Sequence, residues 1–134
     1  MIIQDIATAT DDALTFAISG QNFVISSSDP SNVIQLGAAA AGAGATAASA
    51  NQVVIPISSV TGDVRFLTGG GTDTIHFATN LTLPGGLEVQ TANVTTPDAC
   101  VVDTSASNSD VVIGGTLTAA GNGDVAFYAG SGDV

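Results

Sequence analysis

The chain has 134 residues, twelve acidic side chains against one basic, a formal net charge of -11, and only 4% aromatics. That balance argues against nucleic acid as a partner, because phosphate recognition needs clustered Lys and Arg, and it disfavours an anionic membrane surface. The length suits one domain with a modest core, and a core of Val, Ile, Ala and Thr suits thin β-layers better than an aromatic-rich globule.

Residues 1–12 form a lead-in that ends in Asp11 and Asp12. Leu14, Phe16 and Ile18 alternate with small or polar residues, which places them on one face of a strand. Ser19-Gly-Gln-Asn22 reads as a turn, and Phe23-Val-Ile25 as the second arm of a β-hairpin. Ser26 to Asn32 is a loop, since Asp-Pro and Ser-rich runs favour turns. Val33-Ile-Gln-Leu36 predicts a short third strand. Residues 37–50 are an Ala/Gly-rich excursion, read as flexible, with a short helix or a small-residue packing surface as the alternatives. Glycine opposes the helix by about 0.8–1.0 kcal/mol per residue. From Asn51 to Ser59 the β-pattern resumes, with Val53, Ile55 and Ile57 alternating. Pro56 marks an edge or a bulge, because it cannot donate to a ladder.

From residue 61 a unit recurs: a Gly/Ser/Thr corner, an Asp, then two or three β-formers. It occurs at Gly62-Asp-Val64, Thr72-Asp-Thr-Ile75, Ser109-Asp-Val111, Gly123-Asp-Val125 and Gly132-Asp-Val134. Strands are expected at 64–67, 74–78, 81–83, 87–90, 99–102, 111–113, 116–118 and 125–128. Their spacing of roughly ten to fourteen residues suits stacked rungs. The inward set is Val64, Phe66, Ile75, Phe77, Leu81, Leu83, Leu87, Val89, Val101, Val111, Ile113, Leu117, Val125 and Phe127. Arg65, His76, Thr82 and Glu88 face water. The fold class is therefore all-β: a right-handed parallel β-helix, or β-solenoid-like stack, over 61–134, with a more irregular β-region over 1–60. The two parts are read as one continuous domain.

The order from Leu14 to Phe77 resembles a unit of very long bacterial surface proteins. It runs through a Phe/Ile hairpin, an Asp-Pro-Ser-Asn turn, an Ala/Gly/Thr excursion, a Val-Val-Ile-Pro-Ile strand, then Val-Thr-Gly-Asp and Gly-Gly-Gly-Thr-Asp-Thr-Ile. The segment from Leu81 onward, with Pro84-Gly-Gly-Leu-Glu-Val89, Gly115-Thr-Leu-Thr118 and Gly123-Asp-Val-Ala-Phe127, is similar to haemagglutinin-like β-helix repeats of giant adhesins with RTX-like Gly/Asp turns. The resemblance implies export, an extracellular or cell-surface location of bacterial type, and a scaffold, adhesive or filament role. It implies no catalytic residues.

The chemistry-bearing residues are few. Gly69-Gly-Gly-Thr-Asp-Thr-Ile75 is close to a calcium-binding nonapeptide, but it lacks the Gly just before the Asp and stands as one copy. The corner aspartates Asp63, Asp73, Asp110 and Asp124 are the candidate metal ligands, with Ca²⁺ as the candidate ion; their alternative use is to cap free backbone N–H groups in Asx-turns. His76 is the only histidine, and reads as an exposed surface residue. Arg65, the sole cation, is expected to pair with a carboxylate. Cys100 is expected to be a small core residue, with an intermolecular disulfide as the alternative. Asn80-Leu-Thr82 and Asn93-Val-Thr95 match the N-glycosylation pattern. Outward threonines such as Thr82, Thr116 and Thr118 form no evident flat ladder. No catalytic constellation stands out: Lys is absent, Tyr128 is the only tyrosine, and Glu88 and Asp103 are not shown to meet. The expected role is structural: a self-assembling extracellular filament, surface-layer or adhesin subunit. The alternative is a calcium-dependent module that binds glycan or protein. No segment nears the ~20 apolar residues of a transmembrane helix, so membrane insertion is not expected. Neither end carries a polar capping helix. Met1–Ala7 and Gly132–Val134 are thus the expected head-to-tail joint, in a fragment or in a subunit whose last strand a neighbour completes.

Overall fold

The computed structural model describes residues 1–4, 11–90, 92–97, 99–121 and 124–134. The chain opens with β1 (Ile2–Gln4) and β2 (Ala13–Ser19). β2 turns back into β3 (Asn22–Ser27) as an antiparallel hairpin closed by the Ser19–Asn22 pair. Gly20 takes φ +59° in that turn, which a two-residue hairpin loop requires of its first central residue. A loop then leads to the short helix α1 (Ala38–Gly42), β4 (Thr46–Ser49), β5 (Gln52–Pro56) and a single 3₁₀ turn, Ile57–Ser59.

Beyond it come nine short strands. They are β6 (Val64–Leu67), β7 (Thr74–Phe77), β8 (Leu81–Thr82), β9 (Leu87–Gln90), β10 (Asn93–Thr96), β11 (Cys100–Asp103), β12 (Val111–Ile113), β13 (Leu117–Ala119) and β14 (Val125–Tyr128). The all-β expectation holds. Three sheets form. The first has the order β1-β6-β9-β12 and the third β14-β11-β8; both are parallel throughout. The second, β13-β10-β7-β2-β3-β5-β4, is mixed: parallel as far as β2, antiparallel beyond it. From β6 on, the chain visits first, second and third sheet in a repeating cycle. Parallel neighbours cannot be joined by a tight turn; here the strands of the other two sheets supply each crossover.

Alternation along each strand sends one set of side chains inward. Val64, Phe66, Ile75, Phe77, Leu81, Leu87, Val89, Val94 and Val102 are all at most 1% exposed. Phe16, fully buried, is the centre of the aromatic packing. Its ring centroid lies 5.4 Å from Phe23, 5.3 Å from Phe66 and 6.3 Å from Phe77. β2 thus joins the N-terminal hairpin to the strands of the repeating part.

Several expectations need correction. Residues 33–36 form no strand. Asn51 Nδ2 donates to the carbonyls of Asp29 and Asn32 (3.1 and 2.6 Å), which holds this stretch as a loop, and Val33 is 57% exposed. Residues 37–50 hold α1 and β4, so the short-helix alternative applies to part of them. Ile57 belongs to the 3₁₀ turn rather than to the preceding strand. β10 was not foreseen, because only Val94 and the hydroxyl-bearing Thr96 face inward on it. Val101 points outward, since Cys100 and Val102 take the buried parity. Strands follow one another more closely than the expected interval, because each cycle holds three of them. Pro56 ends β5 opposite Asn22, past the last β4 partner, where its missing N–H costs no ladder bond.

The expected open ends also change. Among the described residues there is no capping helix, but β3 covers the flank of β2 that faces away from β7. Of Met1–Ala7, only Ile2–Gln4 is a strand; residues 5–10 lie outside the described residues. β1 pairs with β6 alone among the described residues.

Candidate functional site

Where the chain turns from one sheet to the next, a peptide N–H is left without a ladder partner. Acidic and amide side chains meet these donors, and they do so across turns. Asp63 Oδ1 accepts from Gly86 N at 2.8 Å, and Asp110 Oδ1 from Asp133 N at 2.9 Å, each 23 residues further along. Asn93 and Asn108 Oδ1 accept from Thr116 and Ser131 N, both at 3.1 Å and both 23 residues on. Asn80 Oδ1 does the same for Val101 N at 2.9 Å, 21 residues on. Asp11 Oδ1 accepts from Thr72 N at 2.7 Å across a span of 61 residues, the span in which residues 20–60 intervene. A net contribution of about 0.5–1.5 kcal/mol per bond is typical, and exposure keeps these at the lower end.

Asp63 and Asp110 therefore bridge segments 23 residues apart. They flank Gly86, whose added Cβ would lie 3.2 Å from Asp63 Oδ1 and 2.8 Å from the Asp110 carbonyl. The glycine thus stands between the two aspartates. Local Asx-turns fall to Asp29 and Asp103, each receiving the N–H and hydroxyl of the Ser two residues on. Those bonds hold both carboxyls below the ordinary aspartate range. Asp124 is exposed, and its backbone carbonyl accepts from Cys100 N at 3.3 Å. Asp73 differs from the other three: it is 1% exposed. Its Oδ1 accepts from Asp12 N at 3.0 Å, and its Oδ2 has no partner among the described residues. The four aspartates do not converge. Among the described residues no three His, Cys, Asp or Glu side chains stand close enough to hold a metal.

Arg65 pairs with Glu88 in register on neighbouring strands, Nε to Oε2 at 2.6 Å. Gln90 Nε2 donates to the other Glu88 oxygen at 2.7 Å. The guanidinium, then the Gln90 amide, hold the Glu88 carboxyl below its ordinary value. His76 Nδ1 shares a 3.0 Å hydrogen bond with Thr95 Oγ1 on the outer face of the second sheet. Cys100 is 1% exposed with Sγ 3.6 Å from the Thr79 carbonyl, and burial pushes its thiol up. This is the core role, and it leaves no accessible thiol for an intermolecular disulfide. Glu88 lies in the first sheet and Asp103 in the third, so the two do not meet.

The sequence reading overlooked Asp11, Asn80, Asn93 and Asn108 as bridges. The signal was present: each stands at or just before a strand or a corner, as Asp63 and Asp110 do. It also overlooked the outer face of the second sheet. Thr15, His76, Thr95 and Thr118 line up there in register, beside Ala13, Thr74 and Asn93. No strand residue of this seven-stranded sheet is Asp, Glu, Lys or Arg. Thr82, in the third sheet, does not belong to that row. Compared with known proteins, the chain matches no family model, no curated protein and no solved structure.

Proposed function

We propose that the chain is a structural segment of an extracellular or cell-surface scaffold, a three-sided parallel β-helix able to assemble end to end. One observation carries this reading. Strands return to the same three sheets in a repeating cycle, and side-chain bridges tie each turn to the next at intervals of 21 to 23 residues. Such a stack is stiff along its axis and can be lengthened without redesign, as in other solenoids. Among the described residues its outermost strands are β1 and β8 on one side and β12, β13 and β14 on the other, the Val111 N–H of β12 already donating to the Asp133 carbonyl. Contacts between those two sides are heterologous and do not close.

Arg65 N donates to the Met1 carbonyl, so the N–H and C=O of Ile2 point to the open edge of β1. Electron micrographs of the purified chain at rising concentration are expected to show filaments. Ile2→Pro, which removes the outward donor and spares the pairing with β6, is expected to shorten them. Discrete particles at every concentration would overturn the assembly reading.

A second reading, a binding module for neutral glycan, draws on the uncharged outer face of the second sheet. In a chain with net charge -11, a wide face without formal charge is where an uncharged, hydroxyl-rich partner meets least desolvation cost. Glycan-array binding that Thr95→Glu abolishes is the expected result if this reading holds. An empty array would count against it.

A further inference from the structure

We propose that the chain carries a docking slot for one extended peptide strand with apolar residues at alternate positions, between the free edge of β1 and the loop at residues 33–36. The inference goes beyond the scaffold reading and does not rest on it.

Met1, Ile2, Ile3 and Gln4 all line one cavity of about 900 Å³. Successive side chains of a strand point to opposite faces. A space that touches four consecutive residues therefore runs along the edge of the strand rather than over one face. One edge of β1 is taken by β6, so the cavity follows the other. Ile2 turns its N–H and C=O to that edge, because Arg65 N donates to the Met1 carbonyl. The alternation of a parallel ladder gives Gln4 the same outlook.

Residues 31–37 line the same cavity without a gap. Ile34 N is held by the Ala50 carbonyl at 2.8 Å, but the backbones of Val33, Gln35 and Leu36 make no hydrogen bond among the described residues. Val33-Ile-Gln-Leu36 has the alternation of a strand, yet no described strand pairs with it. The floor is apolar. Ile25, Val53 and Ile55 supply it from the inward faces of β3 and β5, and Ala40 from α1.

Unused backbone donors and acceptors beside an apolar floor take an added strand: main-chain bonds give affinity, and alternate side chains fill the floor. A compact apolar molecule would use the floor and neither backbone. Asp12 and the Met1 ammonium both belong to the lining, so the slot sets no single charge. The field of a chain with net charge -11 favours a neutral or basic segment over an acidic one.

The probe is a capped, labelled synthetic peptide that alternates Val and Thr between terminal Lys residues, titrated into the full chain by fluorescence anisotropy. One saturable site per chain is expected. The same peptide N-methylated on alternate amides, which removes the donors along one edge, is expected to bind at least tenfold more weakly. Ile2→Pro, which removes a donor from β1, and Ala40→Phe, which fills the floor from α1, are each expected to lose at least tenfold in affinity. If one of them does not fold, the other carries the test. Tyr128→Ser, at the far edge of the third sheet, is expected to bind as the parent does. Amide exchange in the bound chain is expected to slow at Gln4 and Leu36 and to stay unchanged over Val125–Tyr128. Equal affinity for the methylated peptide would make the cavity a pocket for a compact apolar molecule. A dimer that Ile2→Pro dissolves and the peptide does not enter would give the slot to a second copy. Either result would overturn the proposal, as would the absence of a saturable site, binding that both slot variants retain, or protection confined to β14. Filaments are read separately by micrographs, so failure here leaves the scaffold reading standing.

Discussion

Phe16→Ala is expected to destabilise the fold by about 3–5 kcal/mol, the range for emptying a fully buried aromatic site. Phe16 is fully buried and contacts Phe23, Phe66 and Phe77 by ring packing. The wall around it cannot collapse easily. Phe66 and Phe77 sit on strands fixed by parallel partners, and Phe23 on the arm paired with both β2 and β5. The cavity would therefore persist, and retained cavity volume is what raises the cost. Urea unfolding checks this, with Phe127→Ala as the comparison. Phe127 is only partly buried, on the outermost strand of the third sheet, so its loss is expected to cost less than half as much. Equal losses would show that the aromatic cluster is not the centre of the core.

Gly115→Ala is expected to rank second, at about 3 kcal/mol, the upper part of the range for overpacking. A Cβ on Gly115 would lie 2.0 Å from the Ala92 carbonyl oxygen and 2.6 Å from the carbonyl carbon. Those atoms are backbone, so no side chain can swing away. The corner between β12 and β13 must lift instead, straining the 2.8 Å bonds from Gly114 N to the Val89 carbonyl and from Val94 N to the Thr116 carbonyl. Amide exchange is the sensitive readout, with faster exchange expected at Gly114 and Val94. Gly62→Ala is the control: its added Cβ meets nothing within 4 Å, and a change below about 0.5 kcal/mol is expected at such an open site. A neutral Gly115→Ala would mean that adjacent turns are spaced more loosely than described.

Much of this architecture was legible in the residues. The apolar-x-apolar pairs Val64/Phe66, Ile75/Phe77 and Leu87/Val89 announced strands with one buried face, and all six are buried. The Leu14-to-Ile25 hairpin was equally plain. What the sequence did not reveal was which strand joins which sheet. Periodicity reports the facing of a side chain, not its partner, and parallel partners here lie 19 or more residues apart. β10 escaped because Asn93 and Thr95 are its outward residues, and a strand with Asn and three Thr or Val positions looks like a loop with a glycosylation pattern. Val101 was placed on the wrong face because Cys100 was not weighed as the residue that sets the parity. At the corners, the type of residue was readable but its target was not. An Asx-turn and a bridge to the next turn use the same Asp, and only the fold decides which N–H it meets. Asp73 was the exception that parity could have exposed, standing two residues before Ile75 and four before Phe77.

The detour through residues 20–60 has a kinetic consequence. Bridges between successive turns close loops of 21 to 23 residues, whereas Asp12 and Ile18 meet their partners 61 residues away. Closing the longer loop costs about 0.9 kcal/mol more in chain entropy by the logarithmic law. During synthesis, β1 and β2 leave the ribosome long before β6 and β7 exist to receive them. The hairpin with β3 gives β2 a provisional companion over that interval, so an otherwise adhesive strand waits already paired on one side.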